Sequence, residues 1–323
     1  MVGNLVSLGV DFNTSDEDTD LHSRNEGQVF ITKINADGSY GYTYTFNNDT
    51  SSYTSIAIDS DDNIYVSGDF RGEAGEFDPT PEGFDMLVNI SNSSVFLTKL
   101  NADESYGGTT LRGAGSGTVF GRSVDIDSSD NVYLTGHYSD TVDFDPNGVG
   151  DEHTSNDFTE DIFLTKINAD DSYGYTKTMG GENDDRSNSV TVDSLNNVYI
   201  SGYFASLVDF DPLGDGDEHS SNTDSNDIFI TKINADASYG GTKIIGGDGA
   251  DAGVSVVLDS SDNVYLAGHF AGTVDFDPSA EGIEEQISAG TTDVFLAKFS
   301  QVEPTPEPVV EEVRTSSGSR PRA

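Results

Sequence analysis

The chain contains no cysteine, no tryptophan and only three methionines in 323 residues. Without cysteine no disulfide staples the fold, so the core must be built by 18 phenylalanines, 14 tyrosines and the aliphatic residues. The redox compartment stays open, because an exported bacterial-type repeat domain holds together without disulfides. Cations are scarce as well: Lys and Arg number 15 against 58 Asp and Glu, a formal net charge of −43. Such a field repels phosphate backbones and anionic lipid, which excludes nucleic acid as a partner. Long apolar runs are missing too. No segment approaches the ~18 apolar residues that span a bilayer, so direct membrane insertion is not expected. Arg24 is the first basic residue, so the stretch Met1 to Val10 lacks the basic start of a secretion signal.

What the chain does have is repetition. The phrase Val29-Phe-Ile-Thr-Lys33-Ile-Asn-Ala-Asp-Gly-Ser-Tyr40 recurs from Val95, Ile162 and Ile228, with a decayed copy at Val294 to Ser300. Its lysines, Lys33, Lys99, Lys166, Lys232 and Lys298, stand 66, 67, 66 and 66 residues apart. A second phrase, Ser55-Ile-Ala-Ile-Asp59 followed by Asn63-Ile-Tyr-Val-Ser-Gly68, recurs from Ser123, Ser189 and Ser255. A third, Val142-Asp-Phe-Asp-Pro146, returns at Val208 to Pro212 and Val274 to Pro278, with weaker forms at Glu76 to Pro79 and Val10 to Asn13. Three phrases sharing one period define a tandem repeat.

Each unit reads as four strands. Strand A alternates apolar and polar residues, as at Val124 and Ile126. A tight Asp-Ser-x-Asp-Asn turn leads to strand B (Val132 to Gly136), and a long acidic loop to strand C (Ile162 to Ile167). The turn Asn168 to Ser172 returns the chain as strand D, which Gly180-Gly181 end. Asn, Asp, Gly and Ser supply the backbone angles such turns need, with Asn as the residue of positive φ in the A–B turn. Four-stranded units apolar on both faces bury them by packing around an axis. The expected class is therefore all-β, a β-propeller of four-stranded antiparallel blades, four to five in number and incomplete at both ends. The divisions are 1–50 for a partial first blade, 51–117, 118–183 and 184–249 for full blades, and 250–300 for a last blade without strand D. Strand D at Ser39 to Thr45 offers one way to complete that last blade. Residues 301–323, rich in Pro, Glu and Ser, read as an extended disordered linker.

The clearest copy, Ser255 to Phe299, with its Val264-Tyr, Gly272-Thr-Val-Asp-Phe-Asp-Pro278 and Val294-Phe-Leu-Ala-Lys298 phrases, resembles the bacterial β-propeller (SBBP-type) repeat. The resemblance covers about residues 3 to 300. It implies a propeller and a place in large exported or cell-surface proteins, and it implies no catalytic residues.

Two recurring acidic patterns are candidate calcium ligands. Asp59, Asp61 and Asn63 place oxygens at alternate positions of the A–B turn, as calcium loops do, although the Gly and distal Glu of an EF-hand are missing. The alternative is a plain hairpin turn. In the B–C region, Asp143 and Asp145, Asp209 and Asp211, and Asp275 and Asp277 stand two apart on extended chain, where they face one side and can share a hard cation. The alternative there is that the Phe packs under the blade, the Pro ends the strand and the acids stay solvated. Paired carboxylates also suggest a glycosidase, but catalysis needs one acid distinguished from its partner, and these recur in every unit. The lysines of strand C are expected to pair with strand A aspartates, Lys166 with Asp193. The functional expectation is a non-catalytic scaffold or interaction module, extracellular or at the cell surface, monomeric within a larger chain, with a protein or glycan partner. A calcium-binding adhesive domain and a propeller-based lyase or glycan hydrolase are the alternatives; a single asymmetric polar cluster at one end of the axis would favour the enzyme.

Overall fold

The computed structural model describes residues 1–4, 10–13, 20–22, 29–46, 50–80, 83–89, 91–214, 216–222, 225–277 and 283–299. The 301–323 segment, Asp215, Pro278 and Ser300 lie outside the described residues. Among those described the protein is all-β, interrupted by one 3-10 turn at Asn156–Phe158.

The repeat phrases become antiparallel meanders in the order A-B-C-D. One is Thr50–Ile58, Ile64–Phe70, Ser94–Leu100 and Tyr106–Arg112. The next is Thr118–Ile126, Val132–Ser139, Asp161–Ile167 and Tyr173–Gly181. Then come Arg186–Val192, Val198–Ala205, Asn226–Ile233 and Tyr239–Ile245. The first unit shows only Val2–Asn4, Val29–Ile34 and Tyr40–Phe46, and the last only Ala252–Leu258, Val264–Phe270 and Asp293–Phe299. Register identifies Val2–Asn4 as the end of a B strand. Gly3 stands opposite Phe30, as Gly68 does opposite Phe96 and Gly136 opposite Phe163.

The D strand at Tyr40–Phe46 does not complete the last sheet. It pairs with Val29–Ile34 across the turn that joins them, where closing a short loop costs the least chain entropy.

Consecutive sheets meet through their A strands. Thr118–Ile126 packs on Thr50–Ile58 and on Arg186–Val192, which in turn packs on Ala252–Leu258. Side chains bridge the backbones there. The Val124 amide donates to Ser55 Oγ at 3.2 Å, that of Val192 to Asp125 Oδ2 at 2.9 Å and that of Val256 to Ser189 Oγ at 3.1 Å. Between sheets, Ile162, Leu164 and Met179 of the third unit pack with Val198, Ile200, Phe204 and Phe229 of the fourth.

At the last sheet this packing stops. Val294 and Leu296 are 86% and 74% exposed, whereas the same repeat positions, Ile228 with Ile230 and Ile162 with Leu164, are fully buried against the following unit.

The long B–C loop expected from sequence is a short second hairpin in every unit. Thr141–Asp143 pairs with Glu152–Thr154 and Leu207–Asp209 with Glu218–Ser220. Thr273–Asp275 pairs with Glu285–Ile287, Ala74–Glu76 with Met86–Val88, and Val10–Asp11 with Leu21–His22. These ribbons join neighbouring units. Gly180 and Gly181 extend strand D rather than end it, and pair with Asp209 and Val208 of the next unit. A Cβ on Gly181 would stand 2.1 Å from the Leu207 carbonyl oxygen, so only glycine allows that approach.

Candidate functional site

The A–B turns are closed by their own first aspartate. Asp59 Oδ1 accepts the amides of Asp61 and Asn63 at 3.0 and 2.8 Å, and Oδ2 accepts Asn63 Nδ2 at 2.8 Å. The positive φ falls one residue before the expected asparagine, at Asp62, Asp130, Asn196 and Asp262. The asparagine is needed for its amide. Asn63 Oδ1 accepts the Ala102 amide at 3.0 Å, and Asn131 and Asn197 do the same for Ala169 and Ala235, clasping the A–B turn to the C–D turn. The turn serine reaches the next unit: Ser60 donates to Asp130, Ser128 to Asn196 and Ser194 to Asp262. Asp193→Ala strips acceptors from two backbone amides and the Asn197 side chain. It should destabilise the protein by about 1–3 kcal/mol in urea unfolding, against about 1 kcal/mol for Ser194→Ala. Equal, negligible effects would show that the turns close without these bonds.

The B–C acids divide their tasks. Asp143 Oδ1 accepts the amides of Asp145 and Asp151 at 2.9 and 2.8 Å. Asp209 does so for Asp211 and Asp217, and Asp275 for Asp277 and Glu284. Each first aspartate staples its own ribbon. Below it Phe77, Phe144, Phe210 and Phe276 are buried, as the structural alternative expects. Asp145 is buried as well, not solvated, and faces Arg112. Tyr173 and Tyr239 donate to Asp151 and Asp217, and His153 and His219 lie 3.2 and 3.0 Å from the same carboxylates. Among the described residues no three His, Cys, Asp or Glu side chains converge to hold a metal ion.

Lys166 does not pair with Asp193 as expected, while Lys33 reaches Glu104 of the next unit at 3.5 Å. Lys166 lies over the Tyr133 ring at 5.6 Å, its cross-strand neighbour, while Asp193 is engaged by Asn197 and Tyr199. Lys298 combines both contacts, 4.9 Å over Tyr265 and 3.4 Å from Asp259.

A site in a repeat protein is best sought where the repeat is broken. One break lies at the meeting of the second, third and fourth units, where Asp69, Arg71, His137, Glu160, Asp184 and Arg186 gather. Arg71 Nε is 3.0 Å from Asp69, His137 Nε2 is 3.4 Å from Glu160, and Arg186 contacts Glu160 and Asp184. This is an asymmetric polar cluster of the kind that would point to an enzyme. Its charges nevertheless pair off, and His137 is 1% exposed. Burial, with the fields of Arg122, Arg186 and Arg71, pushes the His137 pKa well below its ordinary value, so the ring is neutral. Of these contacts Arg186–Glu160 joins the third and fourth units, and the others lie within one unit.

The second break opens a cleft. Opposite Val95, strand D carries Arg112, where the other units place Phe46, Met179 and Ile245. Two residues earlier stands Thr110, where they place Tyr44, Lys177 and Lys243. Between this strand and the ribbon of the next unit lies a cleft of about 880 Å³, lined by Thr110, Arg112, Asp145, Asp151, Asp171, Tyr173 and Tyr175 among others. That volume is in the range of small-molecule sites, about 300–1,000 Å³. Arg112 is 5% exposed, with Asp145 Oδ1 3.6 Å from Nη1 and the Tyr173 ring 5.9 Å away. Its buried Nε has no hydrogen-bond partner. Burial lowers its pKa, which Asp145 and Tyr173 oppose. Sequence reading passed over both residues, although aligning the D strands shows Arg112 as the one cation of its column and Thr110 as the shortest residue of its own.

The chain matches no protein-family model, and comparison with curated proteins gives no match.

Proposed function

We propose that this chain is a non-catalytic β-propeller-type interaction module, of the kind its SBBP-like repeats suggest, displayed outside the cell and binding its partner in the Arg112 cleft. Four-stranded meanders succeeding one another with adjacent A strands support the propeller reading, since that is how blades sit around an axis. One observation carries the functional reading. The repeated first aspartates of the turns and ribbons are spent on backbone amides in unit after unit, whereas the cleft beside Arg112 occurs where the repeat is broken. Arg112 lines this cleft with its Nε unbonded and its nearest carboxylate 3.6 Å away, a costly placement for packing alone. Nothing in the cleft pairs an acid with a base beside a nucleophile, which is the reason to read binding instead of turnover.

The test uses the immobilised chain and its Thr110→Lys variant, which carries the residue of the third and fourth units. Each is presented with solubilised cell-envelope material. Retention by the parent that the variant loses supports the reading; equal retention by both overturns it. Calcium is expected to leave the melting temperature within about 1 °C at matched ionic strength. A larger rise reversed by chelator would transfer the role to the acidic loops as a calcium-binding domain.

A further inference from the structure

We infer that the Arg112 cleft is a saccharide site, taking a neutral sugar whose hydroxyls meet Arg112 and the surrounding aspartates; this rests on the cleft being the module's binding site. The chemistry of the lining narrows the ligand step by step. The cleft holds one buried cation among Asp145, Asp151 and Asp171 in a chain of net charge −43. An anionic ligand would be repelled by the rim before it reached Arg112. A cationic side chain would find Asp145 already facing Arg112 and Asp151 already accepting from Tyr173, and would bring its charge against a buried guanidinium. A purely apolar ligand would leave the Arg112 Nε unanswered and strand the carboxylates.

A neutral polyol meets all of these conditions. Guanidinium offers donors only and carboxylate acceptors only. A hydroxyl serves both, so neighbouring hydroxyls of one ring can accept from Arg112 and donate to Asp145 or Asp171. The Tyr175 ring lines the same wall, a flat apolar body beside polar tips, suited to the C–H face of a pyranose. Asn147 and Ser172 add further neutral partners at the mouth. In the following unit Lys177 and Met179 stand in place of Thr110 and Arg112, beside Asp211 and Tyr239.

The experiment titrates the full chain with neutral hexasaccharides of the cello-, manno-, xylo- and chito- series and with polygalacturonate, read by saturation-transfer NMR and calorimetry. At least one neutral series should bind and polygalacturonate should not. Thr110→Lys and Arg112→Met should each weaken that binding by at least about tenfold. Thr110→Lys installs a residue that the third and fourth D strands carry, so its melting temperature should match the parent's; Arg112→Met leaves the buried Asp145 without its cation and should melt lower, so its binding is read below that transition. Absence of binding by every neutral series, or equal binding by parent and variants, overturns the inference. Preference for polygalacturonate also overturns it. Envelope material that is lost on protease treatment but still depends on Thr110 would leave the binding module standing and remove the sugar.

Discussion

Leu164→Ala is expected to destabilise the protein by about 2–5 kcal/mol and Leu296→Ala by less than about 0.5 kcal/mol, although both remove the same atoms from the same place in the repeat. The two leucines sit on strand C, opposite Lys177 in one unit and at an edge with no strand D partner in the other. Leu164 is fully buried against Ile200, Phe204 and Phe229 of the next sheet, so its loss removes transfer free energy and leaves a cavity in a close-packed interior. Among the described residues no sheet packs on Leu296, which is 74% exposed. Urea unfolding of both variants, followed by tyrosine fluorescence, makes the comparison. Because repeat arrays can unfold in stages, midpoints are read beside amide exchange in the third and fifth units. A large effect at Leu296 would mean that its face is covered in solution, by a second copy or by residues beyond Phe299.

The repeat made the sheets legible before any coordinate did. Ser-x-x-x-Asp, Asn-x-Tyr and Phe-x-x-Lys recur in phase, so each unit calibrates the reading of the others, and strand order follows from short turns. The B–C ribbons were hidden for a physical reason. Segments of two or three residues such as Val10–Asp11 or Glu152–Thr154 carry no measurable alternation, and a carboxylate such as that of Asp143 holds the loop back on itself. The same spacing that suggested a cation between Asp143 and Asp145 instead places one carboxylate on its own ribbon and sends the other to Arg112. Arg112 was invisible because a buried cation among apolar equivalents means something only once the D strands are aligned and the next unit's ribbon is laid over them.

A second large effect is expected with pH, in the direction opposite to ordinary acid denaturation. Asp161 and Asp185 lie across one inter-sheet seam, and Asp227 and Asp251 across the next, all four buried. Asp185 accepts the amides of Gly181 and Ala205, and Asp251 those of Gly247 and Ala271. Asp161 and Asp227 each accept one amide, from Asn156 and Asn222, and leave Oδ1 buried without a partner. Burial, then the neighbouring carboxylate, raises Asp185 and Asp227 to about 7, and burial alone raises Asp161 to about 7. In the unfolded chain these groups lose their protons near pH 4. Between roughly pH 4 and 7 the native state therefore binds more protons than the unfolded one, and stability falls as pH rises, by about 1.4 kcal/mol per pH unit for each such group. The melting temperature should thus drop steadily from pH 5 to pH 7.5. Repulsion among exposed carboxylates has the same sign, but 1 M salt shortens its reach to about 3 Å. A slope that survives in 1 M salt consequently belongs to buried carboxylates, these pairs together with Asp69, Asp125 and Glu160, which burial also raises. Asp161→Asn with Asp227→Asn supplies permanently neutral amides at the two unpartnered oxygens and should flatten that residual slope while raising the melting temperature at pH 8. A melting temperature that holds level or climbs across this window, or a double variant with the parent's slope, would remove these buried aspartates as a determinant of stability.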